Sequence, residues 1–434
     1  MIFYKETDFR EGTIIGKVPT DWEIVRIEKV CAFDRGFSYR SDQVTTQPSK
    51  IRFITINDFE KEGGLKRNSE SLYLKDETDV DPKYFLDEDE VLVANTDMSR
   101  GFIIGAPIYI EKAEGKVAYS MDLTRLIFDK KTVNGKFLFY LLKHEKIRNK
   151  MKTFAQGTNV LHLNHELMKK LEIPLPPVEE QRAVAGVLGV VDSVIAKTDE
   201  VIAKTERLKK GLMQTLLTRG IGHKEFKETE IGKMPKDWEV VKLSDKAEVV
   251  SGFGFPLDYQ GKRSGKYPFI KVNDLNLTQK YVITADNFVN DEDLKALKAE
   301  VFPPNTIIFP KIGMAIYLNK FRMLKTWGTF DNNIAGIIPK EINPEFLFYY
   351  LLGKIDLKQL SGRTTAPSIR KTTLESMLIP YPSLPEQQKI AEILSTVDKK
   401  LEIERNEKAK LERIKQGLMD LLLTGKIRIR VDYD

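Results

Sequence analysis

Two histidines three residues apart, His162 and His165 in HLNH, form the first spacing in this 434-residue chain that invites a chemical reading. Imidazoles at that separation can share a metal ion, but no cysteine or acidic partner stands close by to complete the coordination shell. The lone cysteine, Cys31, excludes an internal disulfide and any site built on paired thiolates, and is expected to be a buried thiol. Phosphate-binding motifs fail as well. GKRSGK has the wrong spacing for a phosphate loop and lacks a Ser or Thr after Lys266, and SGFGFP at Ser251 opens no helix. NPEF at Asn343 lacks the second proline of an amino-methyltransferase signature and reads as a helix cap. No serine or cysteine is convincingly paired with a histidine, so neither catalytic residues nor a metal site are expected.

What remains is basic and amide side chains mixed with glycines and aromatics in apparent loops. DRGFSYRSD offers Arg35, Tyr39 and Arg40, and ANTDMSRG offers Asn95 and Arg100. Later in the chain YQGKRSGKY offers Lys262, Arg263 and Lys266, FPKIG offers Lys311, and SGRTTAPSIRK offers Arg363 and Arg370. Arginine and asparagine can bond base edges in two places at once, while lysine mainly anchors phosphate. As a set these residues are expected to touch DNA. The net charge of +6 permits an anionic partner without requiring one.

These loops must be held by something, and the chain writes its framework twice. IGKVPTDWEIV (15–25) returns as IGKMPKDWEVV (231–241), differing only at Val18/Met234, Thr20/Lys236 and Ile24/Val240. FITIND at Phe53 answers FIKVND at Phe269, 216 residues on, and ERLKKGLMQTLLT at Glu206 answers ERIKQGLMDLLLT at Glu412, 206 on. Preserved order with a slowly shrinking offset indicates duplication of a whole domain with short loop deletions, since solenoid units are only about 20 to 50 residues long. Each copy opens with short β-type runs such as EVLVA and NTIIF, broken by Gly, Asp and Asn. One helix is signalled in each, with Asn343 as cap and Pro344 at its first position in the second copy.

Each copy then closes with about forty residues of uninterrupted helical pattern ending near Gly220 and Gly425. Ser383 and Glu386 form a capping box for the second of these helices, which the first lacks. Val184, Val187, Val191, Val194, Thr198, Val201, Thr205, Leu208 and Leu212 alternate spacings of three and four, as do Ile390, Ile393, Val397, Leu411, Ile414 and Leu418, the latter interrupted by Lys400, Glu404 and Glu407. Helices this long need a partner along their length, and each is the natural partner of the other. The expected fold is α+β: two duplicated globular domains separated by two long antiparallel coiled-coil helices. The expected boundaries are 1–174, a first long helix 175–220, 221–380, a second long helix 381–426 and a tail 427–434. The composition, 41% hydrophobic and 30% charged, fits a soluble chain with no membrane span or signal peptide, expected in the cytoplasm.

IGKVPTDWEIV, LEIPLPPVEEQRAVAGVL, ERLKKGLMQTLLTRGIG and their second-half counterparts resemble the specificity subunits of type I restriction-modification systems, in family order over essentially the whole chain. The resemblance implies two target-recognition domains, each reading one half of a bipartite, asymmetric double-stranded DNA site. It also implies that the helices set the gap and receive two modification subunits, with restriction subunits as further partners. This chain would then bind no cofactor, and S-adenosylmethionine, ATP and Mg would belong to the partners. Tyr381 and Ser383 depart from the family's usual Leu and Pro at the second helix entry. From the residues alone, a DNA-modifying enzyme with an unmarked active site and a purely protein-binding scaffold remain open.

Overall fold

The computed structural model describes residues 2–66, 70–98, 101–113, 115–276, 280–282, 284–361 and 367–430. They form two compact units, 1–198 with 407–434, and 199–406. The division falls inside both long helices, Val178–Arg219 and Leu384–Leu422, so each unit holds one half of each.

The first unit is organised around the strand Glu90–Ala94. Val91, Leu92 and Val93 are all fully buried, because an uninterrupted apolar run covers both faces of a strand. Val91 and Val93 pack with Phe137, Leu138 and Leu141 of the helix Gly135–Lys143, while Leu92 and Ala94 pack on the other face with Phe59, Ile108 and Tyr119. The strand sits in an antiparallel sheet ordered Pro107–Ile110, Glu90–Ala94, Leu123–Ile127, Ala32–Arg35. A second sheet carries the parallel pair Ile51–Ile54 and Lys116–Tyr119. The second unit repeats the plan. Ile307–Pro310 is its buried strand, with Ile307 and Phe309 against the helix Pro344–Lys354 and Ile308 against Phe302 and Phe330. That helix is capped as its sequence indicates, the Phe346 N–H donating to Asn343 Oδ1 at 3.0 Å.

The repeated DWE phrase has a mechanical meaning. Trp22 and Trp238 are each only 1% exposed, and their indole N–H groups donate to carboxylates at the start of the long helices, Trp22 to Glu180 and Trp238 to Glu386. The next residues, Gln181 and Gln387, are wholly buried. Each accepts from the backbone N–H of the domain helix cap, Asn134 or Asn343, and donates to the carbonyl of Pro176 or Pro382. A single dipeptide thereby fastens the long helix to its domain by bonds that would otherwise be left unmade in the interior. Glu386 is occupied here by Trp238, Ile221 N–H and His223 rather than closing a capping box with Ser383.

In each unit the helix halves run antiparallel and meet the domain through one aspartate. Tyr140 donates to Asp192, which also receives Lys415. In the second unit Tyr349 donates to Asp398, which receives Lys209. Burial raises both phenols well above their ordinary range, and the neighbouring aspartates add to the shift. The buried positions place the seam partly out of phase with the expected heptads. Val184, Leu188, Thr205 and Leu216 on the first helix and Ile390, Leu394, Leu401 and Glu404 on the second are buried. By contrast Val194, Val201, Leu208 and Ile414 are 41%, 42%, 54% and 53% exposed. Val187 and Ile393 are half-buried beside the seam. One of the two columns therefore lies one residue later than expected. The sequence is apolar at both choices (Val187–Leu188, Val194–Ile195, Val201–Ile202), so local pattern does not choose the inward one. The shift replaces Lys400 by Leu401 in the seam and leaves Glu404, which accepts from the Thr205 hydroxyl at 3.4 Å.

Ile427–Arg430, expected as part of a tail, is a strand paired antiparallel with Ile2–Lys5. Arg428 explains its docking: the guanidinium is 9% exposed and bonds Glu180, Asp21 and Glu6 at 2.8 to 2.9 Å. Cys31 is buried and its thiol pushed up to about 12 by desolvation. Among the described residues no helix is long and apolar enough to cross a membrane.

Arg428→Met strands buried Glu180 without its cation and should destabilise the first unit by about 3 kcal/mol or more in chemical denaturation. Two buried histidines set a second expectation. Burial pulls His144 down against the opposing pull of Asp420, and burial also pulls His165 down. The unfolded chain therefore binds these protons more tightly. Stability should be complete above about pH 6.5 and fall as pH drops through the folded values. Denaturation curves from pH 7.5 to 5 should show that fall, and a His144→Gln, His165→Gln variant should show a flatter one.

Candidate nucleic-acid interface

Both buried strands end at a polar residue 216 positions apart in the repeat, Asn95 and Lys311. Their backbones are held alike. Asn95 N–H donates to the Asp122 carbonyl at 2.7 Å and its carbonyl accepts from Leu163 N–H. Lys311 N–H donates to the Asn333 carbonyl at 2.8 Å and its carbonyl accepts from Ile369 N–H. Beside each runs a chain approach that only glycine permits, since a Cβ on Gly36 or Gly252 would collide with the carbonyl oxygen of Ser120 or Asp331. The residues preceding those glycines, Arg35 and Ser251, thus stand next to the strand ends.

The side chains in this shared frame differ. In the first unit Asn95 Oδ1 accepts from the Thr124 hydroxyl at 2.8 Å and faces His165 Nε2 at 3.0 Å. His165 Nε2 also lies 3.1 Å from the Thr124 hydroxyl. The Asn95 Nδ2 group is buried with no partner among the described residues. Arg35 is exposed and its Nε donates to the Met121 carbonyl, one residue from the turn that holds Asn95. In the second unit Lys311 donates to the Ser251 hydroxyl at 2.9 Å. Burial lowers its ammonium pKa while Asp331 pulls the other way. Arg370 follows Ile369 directly and is exposed at the start of the short helix Lys371–Glu375. The place of His165 is taken by Lys371.

The structure thus brings Arg35 together with Asn95, and Lys311 with Arg370. It puts the other expected residues elsewhere. Tyr39 is half-buried, edge-on to Phe53 at 4.9 Å, with its phenol raised by burial. Arg40 is exposed and paired with Asp42 at 3.2 Å. Lys262 and Lys266 are bound to Asp293 and Asp291, and Arg263 between them is exposed. Arg100 and Arg363 lie outside the described residues.

Two apolar residues also stand beside these strand ends. Met98 and Met314, three positions beyond Asn95 and Lys311, are 76% and 73% exposed. The repeat offset that relates the strands also relates these methionines, and could have found them. No group of three or more His, Cys, Asp or Glu able to hold a metal occurs among the described residues.

Comparison with known proteins adds independent findings. A family model for the type I restriction modification DNA specificity domain matches residues 19–207 and 235–413. The MjaVIII type I restriction enzyme specificity subunit of Methanocaldococcus jannaschii is 30% identical over 454 residues, covering 99% of this chain and 98% of that one. A sequence from the same organism bearing the name MjaX type I restriction enzyme specificity subunit is 32% identical over 444 residues, with the same shares covered. The crystal structure of a type I restriction-modification S subunit from M. genitalium superposes with a TM-score of 0.60 at 18% identity, covering 95% of this chain and 99% of that one. The fold is therefore shared with that structure. Two matched specificity domains, in units built to one plan around Asn95 and Lys311, and relatives matched end to end place this chain in the type I restriction-modification DNA specificity family, as a non-catalytic specificity subunit with two target-recognition domains.

Proposed function

We propose that each unit reads one half of an asymmetric, bipartite double-stranded DNA site and that the paired long helices fix the gap between the halves. One observation carries this reading: the same backbone frame sets Asn95 beside Arg35 and His165 in one unit and Lys311 beside Ser251 and Arg370 in the other. A common strand-end frame fitted with an amide and imidazole in one case and an ammonium group in the other selects different base edges, because direct readout depends on donor and acceptor pattern. Exposed Arg35 and Arg370 anchor or read beside them. Tyr39, Arg40, Lys262, Arg263 and Lys266 fit backbone-facing roles better than base readout.

The helices supply docking positions for two modification subunits. Leu208 and Ile414, 206 residues apart, occupy the same place in the repeat and both are more than half exposed. One such apolar position in each unit gives two equivalent sites. Adenine methylation with S-adenosylmethionine then belongs to those subunits, and ATP- and Mg-dependent cleavage to the restriction subunits.

Coexpression with modification subunits, followed by mapping of methylated adenines, should give one bipartite motif with unlike halves and a constant gap. Absence of both a complex and sequence-specific methylation would refute the reading. In the reconstituted complex, Lys311→Ala should relax selectivity in one half only, and exchange of the 19–174 segment should change the other. Leu208→Glu and Ile414→Glu should each remove one modification subunit, seen as a loss of one copy in native mass spectra. Retention of both copies would exclude these positions as docking sites.

A further inference from the structure

Over the eight positions that follow the buried strands the two units diverge in sequence except at one point. From Asn95 the chain reads NTDMSRGF, and from Lys311 it reads KIGMAIYL; of these eight positions only the methionine is shared. Both methionines stand in solvent, at 76% and 73% exposure. Hydration of two long apolar side chains at matching places is costly at about 25 cal/mol per Å², and neither is needed to fill a core. The residue before each is tied to the corresponding neighbouring segment. Asp97 pairs with Leu161 in the strand register, and Gly313 N–H donates to the Pro367 carbonyl at the corresponding place.

Each tip also carries a second apolar residue and a cation. Phe102 is 44% exposed beneath the Lys61 ammonium, 5.4 Å from the ring centroid. Tyr317 is 42% exposed beneath Lys358 at 5.6 Å, and Leu318 beside it is 59% exposed. An apolar tip flanked by ammonium groups suits a polyanion that presents apolar patches between its charges. A duplex groove does this, with phosphates on its rims and the thymine 5-methyl on its floor.

We propose that Met98 and Met314 are specificity-determining contacts, each thioether packing on a thymine 5-methyl group in the half-site its unit reads. This rests on the DNA-reading assignment above and adds to it. Positions that vary between the units read what differs between the half-sites, whereas the shared methionine reads a thymine that both contain. An unbranched, polarizable side chain adapts to a methyl group without needing a fixed hydrogen-bond geometry.

The test uses the complex of this chain with its modification subunits and fluorescence anisotropy on a duplex carrying the mapped site. Because the residues are exposed, Met98→Ala leaves the fold intact. It should weaken binding to the specific duplex by about tenfold, the cost of one mismatched base pair, while binding to an unrelated duplex is unchanged. Replacing one thymine of that half-site by uracil, which lacks only the methyl group, should cost the wild type the same factor and add nothing to Met98→Ala. Met314→Ala should repeat the pattern in the other half-site, and Met98→Leu should retain most of the affinity. Equal losses on specific and unrelated DNA, or additive losses for uracil and alanine, would overturn the assignment, as would loss of subunit assembly in place of DNA affinity. Wild-type complex that binds while Met98→Ala binds equally well overturns this inference alone; wild-type complex that binds no specific duplex overturns the recognition reading and this inference with it.

Discussion

A carboxylate bound by donors at the first turn of each long helix, buried in the first unit and partly buried in the second, constrains everything else in the fold. Glu180 is 2% exposed, and a charge so placed is tolerable only with donors around it. The first unit supplies Trp22 N–H and the Arg428 guanidinium, which in turn gathers Asp21 and Glu6. The second supplies Trp238 N–H, Ile221 N–H and His223 to Glu386. The same carboxylate thus dictates why the DWE phrase is written twice and why Gly220 and Gly425 follow the helices. Both glycines have positive φ, and a Cβ on either would press against the tryptophan. In the first unit the cation arrives on a strand from the far end of the sequence, so the termini are bound together through this one charge cluster.

The helix pair shows how little local pattern is needed to build a seam and how much is needed to orient it. Alternating spacings of three and four guarantee an apolar stripe, and tyrosine-held aspartates at Asp192 and Asp398 fix the rotation of each helix against its domain. That rotation turns Leu188 and Leu401 inward and Leu208 and Ile414 outward. Glu404 and Thr205 are the polar pair in the seam, and one carboxylate oxygen of Glu404 has no partner among the described residues. A buried polar side chain of this kind specifies register at some cost in stability.

On the proposed reading, recognition is separated from folding in the same economical way. The interior strands, the Asn-capped helices and the close glycine approaches are common to both units, and backbone hydrogen bonds rather than side chains place Asn95 and Lys311. Side chains at those points are consequently free to differ without disturbing the core. Asn95, whose buried Nδ2 has no partner among the described residues, and Lys311 with its lowered ammonium pKa are both polar groups held in partly dehydrated surroundings, where selectivity between hydrogen-bond partners is greatest.

Repetition made the sequence unusually legible. Offsets of 216 and 206 alone defined two copies, the interior runs EVLVA and NTIIF marked the central strands, Asn343–Pro344 marked a helix start, and the missing motifs pointed away from catalysis. These features are set by short-range chemistry: burial of apolar runs, capping, and the backbone freedom of glycine. Other decisions needed the folded chain. Valine and isoleucine stand side by side at 194–195 and 201–202, so only packing against a partner helix could choose which faces inward. Lysines 262 and 266 were indistinguishable from Lys311 until aspartates 291 and 293, distant in sequence, were seen to hold them. The strand formed by Ile427–Arg430 was hidden because its stabilising partners lie up to 422 residues away, at Glu6. The sequence determined what the parts are, because those choices are local; tertiary structure decided which side chains remain outward and unspent, because that depends on charges and surfaces brought from elsewhere in the chain.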